Sequence, residues 1–224
     1  MAWVEPGNRW KTDGYANVNV DLRLHPIQFV KHLKRRYGDD LVLRFSRYTH
    51  IPKVRTDRRQ SFQICAQDVT ARWLRHALTR LTPSEELALE SRVKHRGRNR
   101  HIGMLDFRGM TRGQLTAVMD VLPPTYAEGI QVYFSGRSFH AYFPYLLTTR
   151  QWMKFMGSAL LCNERGSEVV DQRWVGHRLI GGYATLRWSC SSARHQELPI
   201  RVPIRALDLP FSGKLKVIAE VACV

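Results

Sequence analysis

The pattern of apolar and polar positions predicts four helices, over residues 68–81, 82–95, 111–122 and 148–161. The first has apolar side chains at every fourth position, the spacing of one helix face. These positions are Val69, Trp73, Ala77 and Leu81. The second begins with Thr82 as a cap and Pro83 at the first helical position, with acids following in the first turn. Thr111 caps the third helix, and Pro123 and Pro124 end it.

Short apolar runs predict strands around these helices. HIGMLDF (101–107) forms one strand, and the aromatic-rich runs 130–135 and 139–144 form a hairpin across a Gly-Arg-Ser connection. Further strands are predicted over 168–171, 178–188, 199–205 and 215–223. From residue 101 the order is most of a β-α-β-β-α-β unit, an arrangement also found in RNA-recognition folds. The fold class is therefore α+β, an RNA-recognition-like antiparallel sheet with flanking helices.

Composition and charge narrow the possible functions. The chain has 224 residues, of which 44% are apolar, and this is enough for a real core and excludes intrinsic disorder. The net charge is +16, so the expected partner is nucleic acid, an anionic membrane surface or a polyanionic substrate. Residues 1–100 carry a net +11 and residues 101–224 a net +5, so the first hundred residues are expected to make the main electrostatic contact.

One basic run stands out in that first part. Arg96, Arg98 and Arg100 lie in a run with no apolar residue to bury. The run is either a solvated linker or a loop that contacts nucleic-acid phosphates.

Several classes of protein are excluded by missing signals. No apolar run approaches the 18 residues or so of a spanning helix, and the first residues lack the apolar centre of a signal peptide. We therefore expect a cytoplasmic or nucleoid-associated protein that is neither secreted nor bound to a membrane. The four cysteines form no C-x-x-C pair, which argues against a zinc ribbon and a disulfide framework. The P-loop, zincin, nucleophile-elbow and dinucleotide-binding motifs are also missing.

The hairpin VYFSGRSFHAYFP (132–144) carries an unusual group of polar residues between aromatic strands. A glycine allows close backbone approach, and hydroxyl, guanidinium and imidazole donors suit phosphate oxygens. These residues are Ser135, Gly136, Arg137, Ser138 and His140. Such a hairpin can hold a triphosphate without a P-loop. A polar β-turn with His140 satisfied inside the sheet has the same composition.

Two acids end apolar runs, Asp106 after HIGML and Asp171 after EVV. A carboxylate at the end of a buried strand is costly unless it caps a helix or turn, is paired, or binds a metal. Two converging carboxylates would hold a divalent cation for phosphoryl transfer. Downstream, residues 171–203 hold a second cluster of groups suited to phosphate, which includes Arg187 and His195.

These stretches occur in the order of a known family. The chain resembles the catalytic domain of archaeo-eukaryotic primases, a superfamily that includes primase-polymerases. MLDFRG (104–109) resembles the family's first acidic motif, FSGRSFHAYF (134–143) its S-x-H motif, and EVVD (168–171) its third motif. LRWSCSSARHQELP (186–199) is similar to the Arg and Ser-x-His segment that the family places next.

The resemblance implies a primase catalytic core that transfers nucleotides with Mg²⁺ or Mn²⁺. Asp106 and Asp171 would be catalytic residues and metal ligands. The implied triphosphate contacts are Ser135, Arg137, His140, Arg187, Ser191 and His195. Residues 1–100 would form a basic N-terminal α/β module and residues 101–224 the RNA-recognition-like module of one unit. The implied partners are a single-stranded DNA template, nucleoside triphosphates, and a helicase or large primase subunit.

One position departs from the family pattern. The first motif's second acid should stand at residue 108, where this chain has Arg108. A guanidinium there repels a second metal ion. In one alternative another carboxylate replaces the missing acid, and Glu168 is the nearest candidate. In the other, catalysis is lost, and the chain binds single-stranded nucleic acid or nucleotides as an accessory in replication or on a mobile element. A third possibility, set by charge alone, is a basic structural protein that binds ribosomal RNA.

Overall fold

The computed structural model describes residues 22–49, 58–126, 128–164, 166, 168–190, 195 and 197–207. Over these residues the chain forms five α-helices and eight strands. The helices are α1 (Ile27–Tyr37), α2 (Ala71–Thr79), α3 (Arg112–Val121), α4 (Thr149–Leu160) and α5 (Gln172–Gly181). The strands are β1 (Leu41–Thr49), β2 (Arg58–Cys65), β3 (Glu85–His95), β4 (Arg98–Phe107), β5 (Gln131–Phe134), β6 (Phe139–Leu147), β7 (Thr185–Arg187) and β8 (Ile200–Val202).

All eight strands join one antiparallel sheet in the order β2-β1-β3-β4-β6-β5-β8, with β7 paired to β3. The predicted α+β class with an antiparallel sheet is confirmed. The predicted hairpin is also confirmed, because β5 pairs directly with β6. The division into residues 1–100 and 101–224 stays a prediction.

Strands β3 and β4 pair only next to the turn that joins them and then separate. The two strands are joined by a tight turn and pair over Arg92–His95 and Arg98–His101. The earlier residues of β3, from Ala88 to Glu90, pair with β7, whereas the later residues of β4 pair with β6. Trp188, directly after β7, is fully buried and donates its indole N–H to the hydroxyl of Tyr142 on β6, over 3.2 Å. The segment after β7 therefore contacts both halves of the sheet.

Threonine caps begin three of the helices where the sequence predicts helices. Thr70, Thr111 and Thr148 each accept a hydrogen bond from the backbone N–H three residues on, which satisfies a donor that the first turn leaves free. Helix α4 packs on β4 at Gly103, where a Cβ atom would lie only 3.2 Å from the Phe155 ring. Within the described part of the chain, no helix has the length and apolarity needed to cross a bilayer.

The prediction of a helix over 82–95 is wrong, because residues 85–95 form strand β3. Leu87 and Leu89 face the core, and Glu86 and Glu90 alternate with them. That alternation has the period of a strand. The acids at 85 and 86 that suggested a first helical turn belong to the strand itself, and the Glu85 carboxylate accepts the Thr82 N–H over 3.0 Å.

Five further predictions need correction or lie outside the described residues. Of 168–171, only Val170 makes a β-bridge, to Phe107. Residues 178–188 contain the end of helix α5 and then β7, because a left-handed Gly182 ends the helix. After β8, residues 204–206 form a 3₁₀ turn, and the strand predicted over 215–223 lies outside the described residues. The run 96–100 is the turn between β3 and β4 and the start of β4, not a linker.

Candidate active site

Strands β4 and β6 bring the acid of the first motif beside the histidine of the second. Asp106 pairs directly with His140 in the antiparallel register, so the two side chains lie on the same face of the sheet. Oδ1 of Asp106 lies 3.8 Å from Nε2 of His140 and 3.5 Å from the donating hydroxyl of Ser138. Both distances are at or beyond the limit of a hydrogen bond. The carboxylate of Asp106 therefore has capacity for a closer partner.

The backbone holds Asp171 next to Asp106. The Asp171 N–H donates to the Asp106 carbonyl over 3.0 Å, and the Arg108 N–H donates to the Val169 carbonyl over 3.1 Å. Residues 168–171 thus run as a short antiparallel segment along the end of β4. The Asp171 side chain caps helix α5, because its Oδ1 accepts the Trp174 N–H over 2.9 Å. The capping role that the sequence left open for this acid is therefore present.

The surroundings of Asp106 disfavour its negative charge. Burial is the main cause and the charge of Asp171 the second, and together they raise the pKa of Asp106 to about 7. The Ser138 hydroxyl and the guanidinium groups of Arg187 and Arg178 lower this pKa and only partly compensate. A cation at this position would stabilise both carboxylates.

His140 is held neutral in the same place. Burial, and then the charges of Arg187 and His195, lower the pKa of His140 well below its usual value. Its Nδ1 atom is buried and has no hydrogen-bond partner among the described residues. A buried imidazole nitrogen without a partner is costly, so His140 is a strong candidate for contact with a ligand.

The turn between β5 and β6 is closed by its own hydrogen bonds. The N–H and the hydroxyl of Ser135 both donate to the Ser138 carbonyl, over 2.8 and 3.0 Å. Gly136 has a φ of +99°, a conformation that L residues rarely adopt. Arg137 is exposed at the tip of the turn. The turn therefore places one cation at the surface and keeps the two serine hydroxyls inside.

Arg187 joins the turn to the segment after β7. Its buried guanidinium donates to three backbone carbonyls, those of Ser189, Glu197 and Ser135, the last over 2.5 Å. The resemblance implies a triphosphate contact for Arg187. The geometry adds a structural role, since these three bonds fix the position of the turn.

Glu86 is a member of the site that the sequence did not reveal. Its carboxylate is fully buried, accepts the Ser189 hydroxyl and lies 3.2 Å from Nδ1 of His195. The prediction of a helix over 82–95 is the reason why Glu86 was not assigned to the site. The alternation of acids with leucines in Glu-Leu-Ala-Leu-Glu (86–90) was the signal that would have placed Glu86 on a polar strand face.

The other residues that the sequence singled out lie beside the two acids, far from them, or outside the described residues. Arg108 pairs with Glu168, and the two side chains are 58% and 36% exposed. Arg98 and Arg100 lie at the opposite end of β4 from Asp106, about 26 and 20 Å away at roughly 3.3 Å per residue, and Arg96 lies in the turn before that strand. Ser191 lies outside the described residues.

The sequence motifs contribute two carboxylates to this site, those of Asp106 and Asp171. Among the residues that the structure describes, no three His, Cys, Asp or Glu side chains are grouped so as to hold a metal ion. A cation held here would need ligands from a substrate or water. Magnesium sites in phosphoryl-transfer enzymes often have this composition.

The strand-end acids beside a Ser-x-x-Ser-x-His hairpin, on an antiparallel sheet of an α+β fold, define a primase-like domain. The family model described as archaeo-eukaryotic primase 1D-like matches residues 65–200. This match covers more than half of the 224 residues and contains all four stretches on which the resemblance is based. The chain belongs to this archaeo-eukaryotic primase-like family. Comparisons with curated proteins and with solved structures found no match.

Proposed function

We propose that the chain is a template-dependent nucleotidyl transferase, a DNA primase or primase-polymerase that uses Mg²⁺ or Mn²⁺ on single-stranded DNA. The observation that carries this proposal is the placement of two acids at the end of β4. The Asp171 N–H bonds the Asp106 carbonyl, and burial together with Asp171 raises the pKa of Asp106 to about 7. Neighbouring carboxylates in a partly buried site favour a divalent cation.

The residues present fit such a cation. Asp106 and Asp171 would hold it, and triphosphate oxygens and water would complete its ligands. A bound cation would neutralise charge that develops on the transferred phosphoryl group. Among the described residues, the side-chain contacts of Asp106 are the long ones to Ser138 and His140, so it can turn to a cation without losing a strong bond.

The groups around these acids suit an incoming nucleoside triphosphate. His140 presents a neutral imidazole, and Arg137 offers an exposed guanidinium at the tip of the turn. His195 approaches from the segment after β7, where Glu86 orients it. Ser135 and Arg187 position the turn, and Ser191 stays a prediction for the same pocket.

The template belongs on the basic surface of the chain. Arg96, Arg98 and Arg100 are proposed contacts to the phosphates of single-stranded DNA, and a helicase or large primase subunit is a proposed protein partner. Binding of this kind weakens steeply with salt, because each phosphate contact releases counterions.

The test is nucleotide incorporation on a single-stranded template with Mn²⁺, using wild type, D106N and D171N. Asparagine is a good helix cap, so D171N removes the charge and keeps the start of helix α5. We expect each variant to lose at least about a thousandfold in rate, because each removes a cation ligand. D120N, at an exposed position on helix α3, is the matched control and should stay within about twofold. No product from wild type, while a family member assayed in parallel gives product, would overturn the proposal.

A second function is favoured by one observation, the ion pair of Arg108 with Glu168. Arg108 therefore engages the carboxylate of Glu168, the nearest candidate to replace the missing acid. A protein that binds single-stranded DNA or nucleotides as a replication accessory would retain the binding groups without catalysis. It predicts salt-sensitive binding and no incorporation by the wild type, and incorporation that D106N abolishes would exclude it.

A further inference from the structure

Glu86 is an acid buried on strand β3 and fixed by the segment after β7. Its carboxylate is fully buried and accepts the hydroxyl of Ser189 through Oε2. The oxygen of that hydroxyl accepts the Leu87 N–H over 2.8 Å, so the hydroxyl proton is directed to the carboxylate. Glu86 therefore presents its second oxygen, Oε1, at a defined place.

Oε1 of Glu86 holds the ring of His195, and the distance from Oε1 to Nδ1 is 3.2 Å. Imidazole is a stronger base than carboxylate, so the proton between these two atoms belongs to Nδ1. The His195 side chain is 22% exposed, whereas that of Glu86 is fully buried. Because Nδ1 is committed to Glu86, the ring contacts a ligand through its other nitrogen, Nε2.

The ring of His195 lies next to the turn between β5 and β6. Arg187 donates to the Glu197 carbonyl and to a carbonyl of the turn, so the segment that carries His195 is tied to the turn. A Cβ atom at Gly136 in the turn would lie 3.5 Å from Cβ of Glu197. Burial, and then the charges of Arg187 and His195, lower the pKa of His140. A ligand on this turn would thus meet both histidines.

We propose that Glu86 makes His195 bind phosphate as a doubly protonated imidazolium, so that binding of a nucleoside triphosphate takes up a proton. An ionised phosphate oxygen only accepts hydrogen bonds, and the Nδ1–H group is already donated to Glu86. A hydrogen bond from Nε2 therefore needs a second proton, which comes from the buffer and joins the lone pair of Nε2. The carboxylate on one side and the phosphate on the other stabilise the resulting charge. The inference rests on the proposed function for its ligand, a nucleoside triphosphate.

Other charged or titratable groups near the ring have to be separated from His195. These are Arg187 on β7, His140 on β6, Asp106 on β4, and Glu197 on the same segment as His195. Arginine keeps its charge at every pH used. His140 is held neutral by burial, and Asp106, 3.8 Å beyond it, has a pKa of about 7. Asp106 is the neighbour that has to be removed in the test.

The experiment is calorimetric titration of the full chain with deoxyadenosine triphosphate, without metal, between pH 7.5 and pH 9. Each titration is repeated in two buffers of different ionisation enthalpy, and the difference in heat gives the number of protons taken up. We expect wild type to reach an uptake of about 0.5 to 1 proton, and H195Q to stay below about 0.2. D106N should keep the uptake of wild type, which separates His195 from the nearby acid.

The variant E86Q tests the part played by the buried acid. Its amide keeps the shape but can donate to Nδ1, so a neutral His195 ring with its proton on Nε2 then suffices for phosphate. We expect less than about half of the proton uptake and a threefold to tenfold loss of affinity at pH 7.5, because a charge-assisted hydrogen bond becomes a neutral one. E86Q should change the affinity of H195Q by less than about twofold, since Glu86 acts through His195.

E90Q is the matched control, because it makes the same change at another fully buried acid of strand β3. It should keep the proton uptake of wild type and an affinity within about twofold. Melting temperatures of all variants are compared with wild type, so that a loss caused by unfolding is recognised.

Nitrogen-15 spectra of the His195 ring give a readout that needs no change at Glu86. The signal is assigned by its loss in H195Q. At high pH and without nucleotide, the ring should carry its proton on Nδ1, and with triphosphate bound both nitrogens should be protonated. A proton on Nε2 alone in either state would overturn the inference.

Equal proton uptake by wild type and H195Q, unchanged uptake in folded E86Q, or no triphosphate binding by wild type would also overturn it. Incorporation is scored separately on the same proteins. If wild type incorporates nucleotides while H195Q takes up as many protons, the inference fails and the proposed function stands. If uptake depends on Glu86 and His195 but wild type gives no product, the inference stands and the proposed function fails.

Discussion

Two acids on neighbouring strands, Glu90 on β3 and Asp106 on β4, differ in the partners that surround their carboxylates. Glu90 is fully buried, accepts hydrogen bonds from Arg92 and Ser61, and forms an ion pair with Arg44 over 3.1 Å. Asp106 keeps 23% of its side chain exposed and has contacts of 3.5 and 3.8 Å only to Ser138 and His140 among those observed. A buried carboxylate with all its partners stabilises the fold, whereas one without them is available for chemistry.

The difference lies in what each strand faces. Glu90 belongs to a face lined with cations, and Asp106 faces a second acid and a neutral histidine. Both are carboxylates on strands of one sheet, Glu90 in the middle of β3 and Asp106 at the end of β4. The partners across the sheet therefore distinguish a structural acid from a candidate catalytic one.

The largest expected effect concerns the pH dependence of stability. Because the folded pKa of Asp106 is about 7 and the ordinary value is 3.8, its favourable contribution is complete below about pH 4 and is lost as pH rises through 7. The loss is on the order of 4 kcal/mol, at about 1.4 kcal/mol per pH unit. Urea unfolding should therefore find D106N more stable than wild type at pH 8 and nearly equal at pH 4. A difference that does not change with pH would contradict the contrast between the two acids.

The next effect tests the bonds of Arg187. R187Q leaves at least two buried carbonyl groups without their donor, so we expect a loss of about 3 kcal/mol in the free energy of unfolding. R137Q, at the exposed tip of the same turn, should change it by less than about 0.5 kcal/mol. Equal stability of R187Q and R137Q would show that Arg187 does not fix the turn.

Glu90 should behave in the opposite way from Asp106. E90Q retains the shape but loses the charge that holds Arg44 and Arg92, and we expect a loss of about 2 kcal/mol at pH 8. E85Q on the same strand keeps an acceptor for the Thr82 N–H and serves as the control, with a change below about 0.5 kcal/mol. A gain in stability from E90Q would remove the distinction between the two acids.

The smallest effect belongs to Arg108. Its pair with Glu168 lies at the surface, with 58% and 36% of the side chains exposed, so R108Q should change the free energy of unfolding by less than about 0.5 kcal/mol. Thermal unfolding at low and high salt measures this change. A loss above about 1 kcal/mol would mean that the pair is part of the core of the site.

Much of the site was predictable because its chemistry is carried by local segments. The hairpin at 132–144, the acid after HIGML and the threonine caps depend on residues close together in the chain. Glu86 was not predictable in this way. Its partners Ser189 and His195 lie more than a hundred residues away, and its own segment shows helix-start signals that the sheet overrides. The site residue Arg187 was predicted but its structural role was not, since its partner carbonyl at Ser135 is 52 residues away.

The sequence alone determined the α+β class, the order of motifs and the identity of the two acids at the site, Asp106 and Asp171, because local periodicity and residue type carry that information. Only the tertiary structure decided that 85–95 is a strand, that Asp171 both caps helix α5 and adjoins Asp106, and that Arg108 pairs with Glu168. These outcomes depend on register and burial. Cross-strand pairing joins residues far apart in sequence, and the low dielectric of the site then sets their charges.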